Sequence, residues 1–216
     1  MLKGVLFDWD GTLCDTLPVC INAFRTAMEP VLGRSLTDEQ ITEHFGVNEL
    51  GIIMLFLPNN PEKWQPTLEA YNKHYRELHY LAPKAYEGMP ELLQQLKNSG
   101  ITVGLVTGKA EGSCAISLEK TGLKNFFAFI RTGSEKGVNK KESIDIFLEK
   151  FKLDPKDVYY VGDSPSDMSE ANRAGVHSVA VLWSSIVDRA GVAKEKPEFS
   201  FDTVPELKNF FENLLA

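Results

Sequence analysis

Apolar segments of strand length alternate with helical patterns over the second half of the chain, and this alternation most limits the possible fold. The strand candidates cover residues 101–106, 126–130, 157–161 and 176–183, and the helical patterns cover 90–98, 111–120, 141–151, 166–174 and 204–215. A further apolar strand candidate, Val5–Phe7, lies near the N-terminus. Strands and helices that alternate in this way form a parallel sheet through right-handed crossovers. We therefore expect an α/β fold, a Rossmann-like parallel sheet with helices on both faces.

Between the first strand and this alternating region, residues 15–82 carry helical signals and no convincing strand. Thr37–Gln40 has the form of a helix capping box, and an apolar stripe at helical spacing runs along Leu68, Tyr71, Tyr75 and Leu78. The proline- and glycine-containing segment Ala82–Pro90 then interrupts the pattern. We expect an inserted all-helical cap domain at 15–82, with the stripe in its core. Residues 1–14 and 83–216 would form the core domain.

The first strand runs into the motif Asp8-Trp9-Asp10-Gly11-Thr12. Ligands of open α/β sheets bind at the carboxyl ends of the strands. Because side chains alternate along a strand, Asp8 and Asp10 should share one side while Trp9 turns away. Gly11 permits a tight turn and a close approach of the backbone to a ligand. This pair suits covalent phosphoryl transfer, in which Asp8 attacks phosphorus and Asp10 acts as general acid and then general base.

Two further strand ends carry residues that suit phosphate and metal chemistry. Val106–Lys109 places a threonine hydroxyl and backbone N–H groups at a helix entrance, an arrangement that binds phosphate. Another strand ends at Asp163, and Asp167 follows four residues later. Mg²⁺ prefers one or two carboxylates together with waters and phosphate oxygens. Asp163 is the better ligand candidate, whereas Asp167 could bind through water or orient Lys141.

Together these motifs resemble those of the haloacid dehalogenase-like superfamily, most closely its phosphoglycolate phosphatase-like branch with a helical cap. The resemblance spans nearly the whole chain. It implies that Asp8 forms an aspartyl-phosphate and that Asp10 is the acid and base. It also implies a Mg²⁺ ion held by Asp8, the backbone carbonyl of Asp10, Asp163 and Asp167. Phosphate binding would fall to Thr107 and Gly108.

The resemblance also requires a lysine that neutralises the phosphoryl group, because phosphoryl transfer depends on positioning and charge compensation. Aligning Asp145–Phe147 with the family selects Lys141. The usual Lys-Pro pair is absent here, since Glu142 follows the lysine, so Lys140 is kept as an alternative. Lys109 is expected near the phosphate. There it would either bind a second negative group, as in phosphoglycolate or pyrophosphate, or lie exposed on the first helical turn.

The resemblance implies a Mg²⁺-dependent phosphatase acting on a small phosphorylated metabolite, with phosphoglycolate as a candidate substrate. A sugar phosphomutase with the same core, or a pyrophosphatase, is the alternative. A dehalogenase is disfavoured, because that reaction needs neither Asp10 nor the metal-binding pair. A catalytically inactive binding protein would lack an essential carboxylate, and none is missing.

Composition excludes several other classes. The chain has 23 basic and 30 acidic residues and no basic run, which disfavours nucleic acid and anionic membranes as partners. The longest apolar run, Ile52–Leu57, is too short to span a bilayer, and the first strand leads straight to Asp8 rather than forming a signal peptide. The cysteines, Cys14, Cys20 and Cys114, lack the paired spacing of a zinc or disulfide framework. We expect a soluble cytoplasmic protein that is a monomer or a homodimer.

Overall fold

A six-stranded parallel sheet forms the centre of the computed structural model, which describes residues 1–81 and 85–216. The strands are β1 (Gly4–Phe7), β2 (Thr102–Val106), β3 (Phe129–Arg131), β4 (Val158–Gly162), β5 (His177–Val181) and β6 (Phe199–Phe201). Their order across the sheet is β3-β2-β1-β4-β5-β6. All four residues of β1 are buried, because this strand is paired on both edges, with β2 and with β4.

Helices cover both faces of the sheet, as the alternating pattern predicts. From Met89 onward, the α-helices are α5 (Met89–Asn98), α6 (Glu111–Thr121), α7 (Lys140–Phe151), α8 (Pro165–Ala174), α9 (Arg189–Lys194) and α10 (Val204–Leu215). Alternate residues of β1 serve the two faces. Val5 and Phe7 pack in one apolar cluster with α5 and α10, and Leu6 packs in another with α7 and α8. The α/β prediction is therefore confirmed.

Among the described residues, four α-helices lie between β1 and α5, namely α1 (Leu17–Leu32), α2 (Asp38–Thr42), α3 (Glu49–Phe56) and α4 (Trp64–Leu78). We call these helices, with the loops that join them, the helical insert. They share an apolar cluster in which Tyr71 and Tyr75 of the predicted stripe are fully buried. The capping box at Thr37 and Gln40 is present. The division into two domains stays a prediction, and its boundary at 82/83 lies outside the described residues.

The insert contacts the rest of the chain at α6 and at the loop after β3. The Tyr75 hydroxyl lies 2.8 Å from Ser117 Oγ, and an exposed ion pair joins Arg76 to Glu119. In addition, the backbone N–H of Asn48 donates to the carbonyl of Ser134 at 3.1 Å. These contacts bring the N-terminal end of α3 close to the carboxyl edge of the sheet.

The structure differs from the sequence prediction near β3 and near the C-terminus. The strand expected at 126–130 begins only at Phe129, because Leu123–Phe126 forms a 3₁₀ turn after α6. The short elements α9 and β6 were not predicted. The three residues of β6 lie at the sheet edge and none is fully buried, so its apolar pattern is too short to recognise. Within the described ranges, no helix has the length and apolar character needed to cross a membrane.

Candidate active site

The sheet order brings the predicted chemical residues to one edge, because β1 lies between β2 and β4. Asp8 follows β1, Thr107 follows β2 and Asp163 follows β4. The carboxylates of Asp8, Asp163 and Asp167 are all buried, and one oxygen from each lies within 4.8 Å of the others. Three buried carboxylates so close together require a compensating positive charge.

Lys140 supplies part of this charge. Its Nζ lies 3.0 Å from Asp8 Oδ2 and 2.5 Å from Asp167 Oδ1, and its side chain is 7% exposed. The placement expected for Lys141 is wrong, because that side chain is 36% exposed and pairs with Asp145 at 2.6 Å. Both lysines lie on the first turn of α7, where successive side chains point about 100° apart. Only Lys140 lies on the same helix face as the buried Ile144 and Phe147.

One lysine does not balance three carboxylates, and the pKa values of two of the carboxyl groups are raised. Burial raises the pKa of Asp8 to about 6 despite the attraction of Lys140. Burial, together with Asp167 and Asp8, raises the pKa of Asp163 well above its usual range. Asp167 differs, because Lys140 holds its pKa below the usual value against the effect of burial. Asp8 Oδ1 is buried and has no hydrogen-bond partner in the described ranges.

Asp167 is held by hydrogen bonds in addition to its ion pair with Lys140. It accepts from the hydroxyls of Ser164 at 2.6 Å and Tyr160 at 2.9 Å, and it completes the capping box at the start of α8. Asp163 sits against the turn after β1. A Cβ atom on Gly11, whose φ is +74°, would lie 2.0 Å from Asp163 Oδ2. Sequence analysis assigned Gly11 to a close approach of the backbone to a ligand, and in the structure the group that lies against it is the Asp163 carboxylate.

Asp10 points toward the helical insert, and it lines the same cavity as Asp8 while Trp9 is buried in the apolar core. Its Oδ1 accepts a hydrogen bond of 2.5 Å from Thr16, the residue that precedes α1. Lys109 Nζ lies 3.2 Å from Oδ1 and 3.3 Å from Oδ2 of the same carboxylate. Thr16 and Lys109, which are far apart in the sequence, therefore both hold the Asp10 carboxylate.

Lys109 is not the exposed lysine that one of the two sequence interpretations describes. It is 3% exposed, and its Nζ lies 4.3 Å from the centre of the Tyr75 ring and 4.0 Å from Glu49 Oε1. Burial opposes its charge, but the adjacent Asp10 carboxylate keeps the pKa of Lys109 above its ordinary value. The lysine is therefore a charged group enclosed between Asp10 and the helical insert.

The two remaining predicted phosphate-binding residues lie between β2 and α6. Gly108 lines the cavity. Thr107 is buried, is not among the residues that line the cavity, and accepts a hydrogen bond of 3.3 Å from the backbone N–H of Lys109. The hydroxyl thus serves the local turn in this structure, and its contact with phosphate stays a prediction.

These residues surround a cavity of about 350 Å³ between the sheet edge and the helical insert. The insert lines it with Leu17, Cys20, Phe24, Thr42, Phe45, Gly46, Val47, Glu49, Ile52 and Tyr71. Sequence analysis missed Glu49 and Tyr71 as site residues. Tyr71 was assigned to the core because it lies on the apolar stripe. Glu49 was missed because it reaches the site only when α3 packs on α6, and no motif in the surrounding sequence indicates that contact.

Comparison with known proteins agrees with this geometry. The family described as haloacid dehalogenase-like hydrolase matches residues 5–181. A relative from Caldanaerobacter subterraneus, named as a candidate pyrophosphatase PpaX, is 32% identical over 213 residues, which are 95% of this chain and 93% of the relative. A phosphoglycolate phosphatase from Synechococcus elongatus is 24% identical over 208 residues, 95% of each chain.

The solved structure of a haloacid dehalogenase-like family hydrolase from Streptococcus pneumoniae has the same fold. Its TM-score is 0.78 at 21% identity, with coverage of 97% of this chain and 98% of that chain. The family match spans most of the sequence and includes the strand ends that carry Asp8, Thr107 and Asp163. This chain therefore belongs to the haloacid dehalogenase-like hydrolase family.

Proposed function

We propose that the protein hydrolyses a small phosphate monoester with Asp8 as the nucleophile. The observation that carries this proposal is the asymmetry of the Asp8 carboxylate. Lys140 binds its Oδ2, whereas its Oδ1 is buried without a partner in the described part of the chain. An oxygen left without a hydrogen bond is available to attack phosphorus.

The reaction takes place in two steps. Asp8 Oδ1 forms a bond to phosphorus while the bond from phosphorus to the leaving oxygen breaks, and Asp10 donates its proton to that oxygen. A water molecule then attacks the aspartyl-phosphate, Asp10 removes a proton from this water, and Asp8 is released with inorganic phosphate. Thr16 and Lys109 hold Asp10 in place for both transfers. Lys140 compensates charge beside the nucleophile.

A Mg²⁺ ion fits the carboxylate cluster. Three buried carboxylates share one lysine, so the cluster carries negative charge that the lysine alone does not balance. Asp8, Asp163 and the backbone carbonyl of Asp10 would hold the ion, with Asp167 behind them. When bound, Mg²⁺ supplies positive charge that offsets the carboxylates and the phosphoryl group.

The relatives suggest two substrates for this chemistry, because one is named as a pyrophosphatase and another as a phosphoglycolate phosphatase. Pyrophosphate hydrolysis is accordingly the second candidate function. A sugar phosphomutase would return the phosphoryl group to a sugar instead of water. Analysis of the products formed from a sugar phosphate distinguishes this alternative from hydrolysis.

The test is phosphate release from a panel of phosphate esters with Mg²⁺ by the wild type and by Asp8→Asn. Loss of the nucleophile should lower kcat by about a thousandfold or more, while the variant stays folded at the assay temperature. Asp145→Asn is the matched control, because Asp145 is an exposed carboxylate on α7 that pairs only with Lys141 among the described residues. Activity of Asp8→Asn within tenfold of wild type would exclude Asp8 as the nucleophile.

A further inference from the structure

We propose that the substrate has an uncharged, hydroxyl-bearing leaving group, and that Glu49 and Tyr71 of the helical insert select for it. This inference rests on the proposed function, because the leaving group is defined by transfer of the phosphoryl group to Asp8. It excludes substrates that carry a second anion next to the phosphate. Phosphoglycolate and pyrophosphate are both of that excluded kind, so the inference decides against the two substrates that the relatives suggest, including the second candidate function.

The cavity has no lysine or arginine left to bind a second anion. Lys109 and Lys140 are the only such side chains among the described residues that line it. Lys140 already contacts Asp8 and Asp167, and Lys109 contacts both oxygens of Asp10. Each cation is therefore paired inside the site before any substrate enters.

Glu49 occupies the position where a second anion would otherwise find hydrogen-bond donors. Its carboxylate is buried and accepts hydrogen bonds from the backbone N–H of Ala110 and from the hydroxyl of Ser113. These donors lie at the N-terminal end of α6, the end of a helix that favours negative charge. Glu49 thus takes up this anion-binding end and adds a negative charge to the cavity wall.

The rest of the insert's lining suits a neutral group. Leu17, Phe24, Phe45, Val47 and Ile52 are apolar. Tyr71 is fully buried and lines the cavity, and within the described ranges its hydroxyl has only the neighbouring Cys20 thiol as a partner. A thiol is a weak hydrogen-bond partner. A buried hydroxyl that is poorly satisfied is costly, and a substrate hydroxyl would satisfy it better.

The decisive experiment compares two substrates of nearly equal size. Phosphoglycolate and 2-hydroxyethyl phosphate differ in one terminal group, a carboxylate or a CH₂OH. With Mg²⁺ present, wild type should hydrolyse 2-hydroxyethyl phosphate with a kcat/KM at least about tenfold higher than phosphoglycolate or pyrophosphate. Like charges held close together in a poorly hydrated site account for this difference.

Glu49→Gln removes the charge and keeps hydrogen bonds to both groups, because its carbonyl oxygen can accept from the Ala110 N–H while its NH₂ group donates to the Ser113 hydroxyl. It should reduce the preference for 2-hydroxyethyl phosphate by about tenfold, mainly by improving kcat/KM for phosphoglycolate. Glu111→Gln is the matched control, because Glu111 is an exposed glutamate in the first turn of α6 and does not line the cavity. The control should keep the wild-type preference. Melting temperatures verify that both variants are folded.

Tyr71→Phe tests the hydroxyl separately. It should lower kcat/KM for 2-hydroxyethyl phosphate relative to ethyl phosphate by about tenfold, because only the first substrate offers a hydroxyl. A purely structural role for Tyr71 would change both substrates equally and would overturn this part of the proposal.

A wild type that prefers phosphoglycolate or pyrophosphate would overturn the inference while leaving the proposed function in place. An unchanged preference in Glu49→Gln would overturn the role of Glu49. If wild type released phosphate from none of these esters with Mg²⁺, the proposed function itself would fail, and the inference with it.

Discussion

At the scale of single residues, the site depends on which of two adjacent lysines enters it. Lys140 is buried between Asp8 and Asp167, and Lys141 is on the surface. Lys140→Met should lower kcat at least about a hundredfold, because it removes charge compensation at the nucleophile. It should also lower the free energy of unfolding by about 3–5 kcal/mol, since it leaves buried carboxylates unpaired.

Lys141→Met is the control for this prediction, and it should keep kcat within about twofold of wild type and lower the unfolding free energy by less than about 0.5 kcal/mol. Steady-state kinetics at a temperature where each variant is folded, together with urea unfolding, measures both effects. A larger loss of activity in Lys141→Met than in Lys140→Met would restore the assignment that the sequence suggested.

A second residue-scale prediction concerns pH. The pKa of Asp8 is raised to about 6, so the folded protein binds a proton there that the unfolded chain has already released. The stability associated with this proton is fully present below the usual carboxyl pKa of about 4 and is lost as pH rises to about 6. In chelator, Asp8→Asn should therefore be more stable than wild type by about 1–3 kcal/mol at pH 7.5.

This gain should shrink at pH 4.5, where the wild-type carboxyl is largely protonated in the folded state. Adding Mg²⁺ at pH 7.5 should stabilise wild type by mass action and should do so far less in Asp8→Asn. Urea unfolding at the two pH values, with and without Mg²⁺, gives the four comparisons. An Asp8→Asn variant that is less stable than wild type in chelator at pH 7.5 would mean that the ionised, buried Asp8 carboxylate does not destabilise the folded protein.

At the scale of elements, the turn after β1 sets the distance between Asp8 and Asp163. Gly11 and Gly122 have the same φ of +74°. A Cβ atom added at Gly11 would meet Asp163, whereas one added at Gly122 would meet nothing within 4 Å. Gly122→Ala should cost about 1–2 kcal/mol of stability from the left-handed backbone alone. Gly11→Ala should cost more, because Asp163 must also move.

The measured difference between these two alanine variants isolates the contact with Asp163. Gly11→Ala should also lose most of the rise in melting temperature that Mg²⁺ produces, while Gly122→Ala should keep it. Calorimetry with Mg²⁺ and with chelator provides the readout. Equal losses of stability and equal Mg²⁺ responses would mean that the turn does not position Asp163.

At the scale of the whole molecule, the cavity has walls from both the sheet edge and the helical insert. We expect the insert to act as a lid, because a ligand bound there contacts both walls and lids of this kind exclude water. Hydrogen exchange with Mg²⁺ and orthovanadate should increase protection at residues 45–53 and 108–114. Residues 92–97 of α5, which are remote from the cavity lining, should show no change. Unchanged exchange at 45–53 would count against closure.

Much of this protein follows from local sequence. The apolar run Val5–Phe7 is too short for a helix and forms a strand. Gly122 and Gly175 end α6 and α8, as their positions in the sequence predict. The carboxylates Asp8 and Asp163 were identified because each directly follows a buried strand, and parallel topology places such ends together. Hydrophobic periodicity and turn residues act over a few positions, so the sequence alone contains this information.

Other features were decided only by tertiary packing. The choice of Lys140 over Lys141 depends on the rotation of α7, although the spacing of Lys140, Ile144 and Phe147 already indicates which face is buried. The burial of Lys109 and the entry of Glu49 into the site depend on α3 and α4 packing against α6, across some 60 residues of sequence. No local pattern records such a contact, because the charge and the donors that satisfy it come from segments that meet only in the folded chain.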